Sequence, residues 1–458
     1  MTSSAEAGLG STTPGPASAV SDAEDVGRPT AHLPWSQLLS VSIYWFGISA
    51  IWGGYEIFGQ ARIESLVGVA NRGAVQGNIE LLGALVAILV VPTAGTISDY
   101  TLSRWGRRKP YILVGAIFDV VFIYALVNSQ TLLAFAAFYL MLQFSSNLAQ
   151  GPFQGYVPDL VPERQVSIAS GLLGFMRVLG LIAGVFIVSS GVATGDFATP
   201  LLIVGGIELA LAIATFVLVR EGPVGRPRNG RSWFAIAREA WGTDVLRERN
   251  FLFMSATRLL FLMGTSAFVN LSLYYVRDTL GQSGEDLERW ITIGLVAFIA
   301  GTAAGTIPGA WLADRVGRKM VIWGAAAVTS IGIFLAARAG SPTEALPGLA
   351  LMGLGNGAYI AVDWALMTSV IPKVASGRYM GLANIANSIS GPLAVVVAGR
   401  VLDMVTATAG LEAGPRAAIS TGILFLAGAS LMLTFVHPPK PTSPEEPQST
   451  PGQPTSTP

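Results

Sequence analysis

The chain has 458 residues, 52% apolar and only 12% charged, with a formal net charge of zero and a mean hydropathy of +0.56. A soluble domain carries about 25% charged residues, so the composition excludes a soluble globular protein and indicates a polytopic membrane protein; the balanced charge gives no footing for a nucleic-acid partner. Cysteine is absent, which excludes disulfides and thiol chemistry, and the two histidines, His32 and His437, flank the apolar region, leaving no His–carboxylate or His–metal site inside a bilayer.

Residues 1–34 are rich in Ser, Thr, Pro, Ala and Gly and carry the acidic patch Asp22-Ala23-Glu24-Asp25. They lack the basic start and apolar core of a signal peptide. With little apolar surface to bury, they are expected to form a disordered cytoplasmic tail. Twelve apolar segments follow, each long enough at ~1.5 Å per residue to cross a ~30 Å hydrocarbon core. Six of them (35–58, 76–98, 111–128, 130–156, 166–192 and 200–220) make an N-terminal bundle over 35–220. A polar linker, 221–249, carries seven Lys/Arg when Arg220 is included. Six more (250–276, 290–313, 320–338, 344–371, 378–403 and 416–437) make a C-terminal bundle over 250–437. The Pro/Ser/Thr/Gln-rich stretch 438–458 reads as a second disordered tail. With the N-terminus inside, inner loops hold about 17 Lys/Arg and outer loops about 7, so both tails are expected in the cytoplasm.

Two patterns recur half a chain apart. Gly95-Thr96-Ile97-Ser98-Asp99 followed by Arg104-Trp105-Gly106-Arg107-Arg108-Lys109 returns as Gly309-Ala310-Trp311-Leu312-Ala313-Asp314-Arg315-Val316-Gly317-Arg318-Lys319, with Gly106 and Gly317 211 residues apart. Leu160-Val161-Pro162-Glu163 with Gly171-Leu172 returns as Val370-Ile371-Pro372-Lys373 with Gly381-Leu382, at an offset of 210. Two matches at nearly one offset imply duplicated halves, the plan of a rocking transporter. Each basic cassette joins two helices on the inner side. Asp99 and Asp314 sit at helix ends, where they can pair with arginine or cap a neighbouring helix. Arg104, Arg107, Arg108, Arg315, Arg318 and Lys319 can meet anionic lipid. A topology signal alone explains the positive charge but not the recurring order of Gly, Asp and then Gly-Arg-[Arg/Lys]. A gating role is therefore expected, with inter-helix ion pairs that break as the halves rock and with Asp159 as partner for Arg107 or Arg108.

The cassettes resemble the signature loop of the major facilitator superfamily. The first, from Ser98-Asp99 to Arg104-x-Gly106-Arg107-Arg108-Lys109-Pro110, resembles the loop of sucrose–proton and glycoside–cation symporters, and Gln150-Gly151-Pro152 is similar to the Gln-Gly-Pro of plant sucrose carriers. The resemblance implies an all-α integral membrane fold of twelve transmembrane helices in two pseudo-symmetric six-helix halves. It further implies a monomeric plasma-membrane carrier without cofactor, moving a sugar or glycoside by alternating access, with H+ as the coupling ion. Sucrose symporters place an Asp seven residues before Gln-Gly-Pro and an Arg two after its Pro, and that pair is their proton and substrate site. Here Gln143 and Gln154 stand at those positions, 11 residues apart on one helix face. They keep hydrogen bonding for a sugar but cannot titrate, so coupling must fall to other groups or be absent; two amides tying helices together is the alternative.

Ionisable residues within the apolar segments include Glu56, Glu80, Asp119, Arg177, Glu208, Arg258 and Asp363. A charge at bilayer centre costs at least ~3 kcal/mol, so each needs a partner, a water-filled cavity or a function. Two cations among five acids imply Arg–carboxylate pairs plus a carboxyl able to carry a proton. Asp363 ranks first for coupling or substrate binding, followed by Asp119 and Glu56, with Arg177 and Arg258 as cationic candidates. The outer-end positions of Glu56 and Glu80 also fit a solvated structural role. Among the aromatics of helices 1, 7 and 10, Trp45 and Trp364 are candidates to stack on a sugar face. Asn147, Asn384 and Asn387 can bind hydroxyls or pack. A drug or metabolite exporter of the same fold is the second reading, opposed by the fifth helix, whose Gly171, Gly174, Gly180 and Gly184 come without proline. A non-transporting sensor is the third. No Gly-Lys-[Ser/Thr] phosphate loop or His/Cys ligand set occurs, so neither an ATP-driven pump nor an enzyme is supported.

Overall fold

In hydrocarbon every backbone N–H and C=O must be bonded within its own segment, and the long apolar runs satisfy this as helices. The computed structural model describes residues 31–221, 230, 232–234, 248–370 and 376–437, with backbone only at 167, 193, 364, 368–370 and 376–384. The side chains of Trp364 and Asn384, the Pro372-Lys373 part of the second repeat, most of the linker and most of both tails lie outside the described residues.

Twelve helices are long and apolar enough to cross a membrane. They are α1 (Tyr44–Val67, after a short turn Trp35–Ser40), α2 (Arg72–Asp99), α3 (Lys109–Val127), α4 (Leu132–Gln154, extended by Tyr156–Leu160), α5 (Val166–Thr194) and α6 (Ala198–Leu218), then α7 (Arg249–Val269), α8 (Gly284–Val316), α9 (Arg318–Arg338), α10 (Pro342–Val370), α11 (Ser376–Ala409) and α12 (Ala413–Thr434). The boundaries depart from the hydropathy reading where charges cap the helices. α1 runs on past 58 to Val67 and α2 starts at Arg72 rather than 76, because Glu64 and Arg72 neutralise each other. The seventh segment breaks at Asn270 and continues as a short helix, Ser272–Tyr274, and a π-turn, Tyr275–Thr279.

The two halves are built alike. Helix α2 packs on α4 where Gly151 lies against the carbonyl of Val91, and α8 packs on α10 where Gly357 lies against that of Thr302. Both cassette turns need a backbone that glycine adopts without strain: φ is +110° at Gly106 and +91° at Gly317. Leu33 and His437 lie at one face, the terminal face, held by Gln165 and Asn250. Both cassettes sit at that face as well.

The halves touch at the opposite face. There α2 lies on α11, with backbone to backbone at Gly73 and Gly399, and α1 lies against the segment after α7. Among the described residues, every hydrogen bond and ion pair between the halves joins residues 60–78 to residues 270–278 or 400–403. Toward the terminal face, Gln154, Arg177, Asn387 and Ser388 are exposed. The molecule is closed at the opposite face and parted at the terminal one.

Candidate functional site

In the C-terminal half, three helices bring five of the polar or aromatic residues of the apolar segments together. Arg258 on α7 and Asp363 on α10 form an ion pair at 3.3 Å, and each is about 95% buried. Tyr359, one turn before Asp363, donates its hydroxyl to Asp363 Oδ1 at 2.7 Å. Arg258 Nε also donates to Asn387 Oδ1 of α11 at 3.0 Å. Phe261, a turn after Arg258, stacks on the Tyr359 ring at 3.7 Å between centroids. The apolar stack keeps water from one side of the pair, which strengthens the Coulombic attraction it retains.

In the N-terminal half, Gln143 donates to the Tyr139 hydroxyl at 2.8 Å, and Asn147 donates to Gln143 Oε1 at 3.0 Å. These i, i+4 bonds line the side chains along one face of α4. Tyr139 stacks on Tyr55 of α1 at 4.7 Å, and Trp52 meets both rings edge-on. The array of hydroxyl, amides and indole suits a polyhydroxylated solute. Gln154, three turns further on, is exposed and not joined to Gln143.

Three expectations are corrected by the packing. Arg177 has no carboxylate partner among the described residues; it is exposed, with its guanidinium 5.2 Å from the Trp45 ring, whose other neighbour is Phe153. Asp119 does not face the space between the halves. It is fully buried inside the N-terminal bundle, accepting from Ser145 of α4, near a second buried carboxyl, Glu208, that accepts from Tyr44. The solvated role for Glu80 fails because the outer end of α2 is covered by the other half. Glu80 is 7% exposed and accepts from Gln76 at 2.8 Å, while Glu56 borders a small apolar cavity between the halves.

At the terminal face, Arg107 and Arg108 both pair with Asp159 and Asp99: Arg108 reaches Asp99 at 2.9 Å and Asp159 at 2.6 Å, and Arg107 lies 3.9 Å from Asp99 and closer to Asp159. Arg108 also donates to the Pro152 carbonyl at 2.9 Å. Glu221, after α6, accepts from the Arg108 backbone N–H at 3.0 Å, and burial pushes its carboxyl up. Arg104 stacks on Trp105. In the second cassette, Arg315 lies 3.6 Å over Trp311, Arg318 donates to the Ala365 carbonyl and Lys319 to that of Val436, while Asp314 is exposed and has no ion pair among the described residues. Every one of these contacts stays within one half, because each cassette links helices of the same bundle. In this conformation they stiffen each half rather than join the two.

The contacts that join the halves lie at the opposite face, and their charged members Glu64, Arg72, Arg277 and Asp278 escape a hydropathy reading, which puts them in loops. Arg72, fully buried, is held between Glu64 of its own half and Asp278 of the other, with Tyr274 4.2 Å below its guanidinium. Arg277 pairs with the same Glu64 at 2.7 Å and with Asp278 at 2.6 Å. Asp403 of α11 accepts from Gly73 N at 3.0 Å and Ala74 N at 2.7 Å, capping α2 from across the interface. The available signal was charge itself: Arg72, Arg277 and Asp278 are unexpected in outer loops of a chain that is 12% charged.

Residues 36–395 match the family model of the Major Facilitator Superfamily. The chain belongs to this superfamily. It is 27% identical over 326 residues to the multi-drug resistance efflux pump PmrA of Streptococcus pneumoniae, covering 68% of this chain and 76% of the pump. It is 25% identical over 124 residues to the sucrose transport protein SUC4 of Arabidopsis thaliana, covering 23% of this chain and only 24% of that carrier. Among solved structures it resembles a bacterial homolog of the human lysosomal transporter Spinster (TM-score 0.68, 12% identity, 87% of this chain and 96% of that one) and the nucleoside transporter NupG (TM-score 0.64, 15% identity, 87% and 97%). At these identities the structures establish the fold. The protein is a multi-pass membrane transporter of the superfamily, not an enzyme.

Proposed function

We propose that this member of the superfamily carries a sugar or glycoside across the cell membrane by alternating access, coupled to a cation, with both termini in the cytoplasm. The observation that carries the substrate class is the face of α4, where Tyr139, Gln143 and Asn147 form a neutral hydrogen-bonded ladder beside Tyr55 and Trp52. Uncharged donors and acceptors with aromatic faces bind hydroxyls and sugar C–H surfaces without demanding a charge on the solute. The Arg258–Asp363 pair supplies the charged wall, with Asn387 and Tyr359 as further hydroxyl partners. Arg177, exposed toward the parted side, and the half-buried Trp45 beside it line the route of entry or release. With the termini inside, the conformation is open to the cytoplasm.

The test is uptake of labelled sucrose, maltose or glucosides into proteoliposomes with and without a proton gradient. Gradient-stimulated flux of one of them is expected. Flux independent of any gradient removes the coupling, and no flux of any sugar removes the substrate class. Export of drugs or metabolites is the second reading, favoured by the match to PmrA over 68% of the chain. It predicts that deleting the gene raises drug sensitivity while sugar flux is absent.

A further inference from the structure

Among the described residues, Asp119 and Glu208 inside the N-terminal bundle and Glu56 and Glu80 beside the other half have no ion pair, and the last two lie where the halves meet. Glu80 on α2 is 7% exposed, and Glu56 on α1 is half-buried. Neither has an ion pair among the described residues. Glu56 Oε2 is buried without a hydrogen-bond partner, and it borders the small cavity closed by Phe268 of α7, Trp290 and Ile291 of α8 and Leu349 of α10. The walls that α5, α7, α8 and α10 give this cavity carry no titratable side chain. The titratable groups around them are Tyr55, Tyr139 and Tyr274, uncharged as phenols, and beyond Tyr274 stand Arg72 and Arg277, both paired with Glu64 and Asp278. Two negative charges inside the membrane region with no ion-pair partner are costly to keep together. A positive partner lowers that cost, and a proton needs the least room.

The pair also has a direct connection to the other half. Gln76 is 1% exposed, and its Nε2 donates at once to Glu80 Oε1 at 2.8 Å and to the Asn270 carbonyl, at the end of α7, at 2.9 Å. Its Oε1 is buried with no partner. One turn before Gln76, Gly73 and Ala74 donate to Asp403 of α11. A change in the charge of Glu80 therefore acts on a side chain that itself bonds across the interface.

We propose that Glu56 and Glu80 form a single-proton site that, through Gln76, links its occupancy to closure of the opposite face. This names the coupling site of the cation-coupled transport proposed above and rests on that reading. With the proton bound, the pair is compatible with the dry, closed interface. When the proton leaves, the remaining charge favours hydration, and the conformer that lets water in is the one open at the opposite face. Arg258 and Asp363 neutralise each other and are left to hold solute.

The absence of native cysteine allows spin labels at two exposed positions across this face, Asn71→Cys and Thr408→Cys, in the full chain in liposomes. Pulsed dipolar distances are compared from about pH 5 to about pH 8 without any solute, and the open population should rise by up to ~10-fold per pH unit over the range in which one proton is released. Glu80→Gln and Glu56→Gln should flatten this response. Gln76→Leu, which leaves both carboxyls in place, should keep proton release and lose its effect on distance. A wild type with no pH response, or glutamine variants that respond like wild type, overturns the proposal. A pH response that depends on Glu80 in a protein that moves no sugar removes the sugar reading and leaves the proton site standing.

Discussion

Replacing Gly399 with alanine should open the face at which the halves touch. Gly73 of α2 and Gly399 of α11 meet backbone to backbone: a Cβ built on Gly399 runs into the Gly73 carbonyl oxygen, and one built on Gly73 lies 2.7 Å from the Gly399 Cα. No flexible side chain is there to yield, so the helices must separate. Separation costs the two hydrogen bonds that Asp403 accepts from Gly73 and Ala74. Bonds to a charged group contribute about 1.5–3 kcal/mol each, and water replaces part of that, leaving a net penalty of ~2–4 kcal/mol on the closed form. At 1.4 kcal/mol per factor of ten, the closed-to-open ratio falls by ~30- to ~1000-fold. The open form should not suffer, since Gly399 lies in a helix without positive φ and alanine is the better helix former by about 1 kcal/mol. The assay is the Asn71–Thr408 spin-label distance, with Gly324→Ala as control because a Cβ there meets nothing within 4 Å. A folded Gly399→Ala variant whose distances match wild type would refute the geometry of the closed face.

Asp363→Asn leaves Arg258 buried without its carboxylate and should destabilise the protein by about 3–5 kcal/mol, whereas the double variant with Arg258→Met should recover much of that loss. Melting midpoints in detergent check this, and equal midpoints for the single and double variants would count against a buried ion pair. Arg108→Ala should cost ~3 kcal/mol, because Arg108 is buried and holds both Asp99 and Asp159; Arg315→Ala, at the equivalent cassette, removes an exposed stack on Trp311 and should cost no more than ~1 kcal/mol. Chemical denaturation of the two variants in parallel separates the cassettes. Glu221, outside the membrane, has its carboxyl raised by burial. Between its ordinary value and the raised one, the folded chain holds a proton the unfolded chain has released, so stability falls as pH rises through that window. Glu221→Gln should flatten this slope in a melting-temperature series against pH.

The duplication and the twelve helices were legible because both rest on patterns that need no packing: apolar length, and glycines required by the two positive-φ turns at Gly106 and Gly317. The joint placement of Arg258 and Asp363 was legible only in part. That mid-depth charges need partners follows from the bilayer, but that Arg258 meets Asp363 and Arg177 meets Trp45 depends on how α7, α10 and α1 are rotated, which periodicity does not give for helices that are apolar all round. Asp119 shows the same limit. Its depth matched a transport site, yet its direction on α3 points it at Ser145 inside the bundle. The closed face was illegible for a different reason. Glu64, Arg72, Arg277 and Asp278 look like loop charges until the halves are docked, and docking is long-range information.

The polar contacts of the closed face explain how the interface can be reversible. Many of its polar contacts are charged groups and backbone N–H groups, which water can take over when the halves part: Arg72, Glu64, Arg277 and Asp278 gain hydration, and the first N–H groups of α2 exchange Asp403 for solvent. Charged groups at such a contact set register and partner more than they add net affinity. The terminal-face cassettes differ because their ion pairs are internal to one bundle. Arg108 ties the end of α2 and the start of α3 to the carbonyl of Pro152 on α4, whatever the other half does. Under the alternating access proposed above, these ties hold each half together, and the contacts that must break lie where Gly73 meets Gly399, where Gln76 meets Asn270 and where Arg72 meets Asp278.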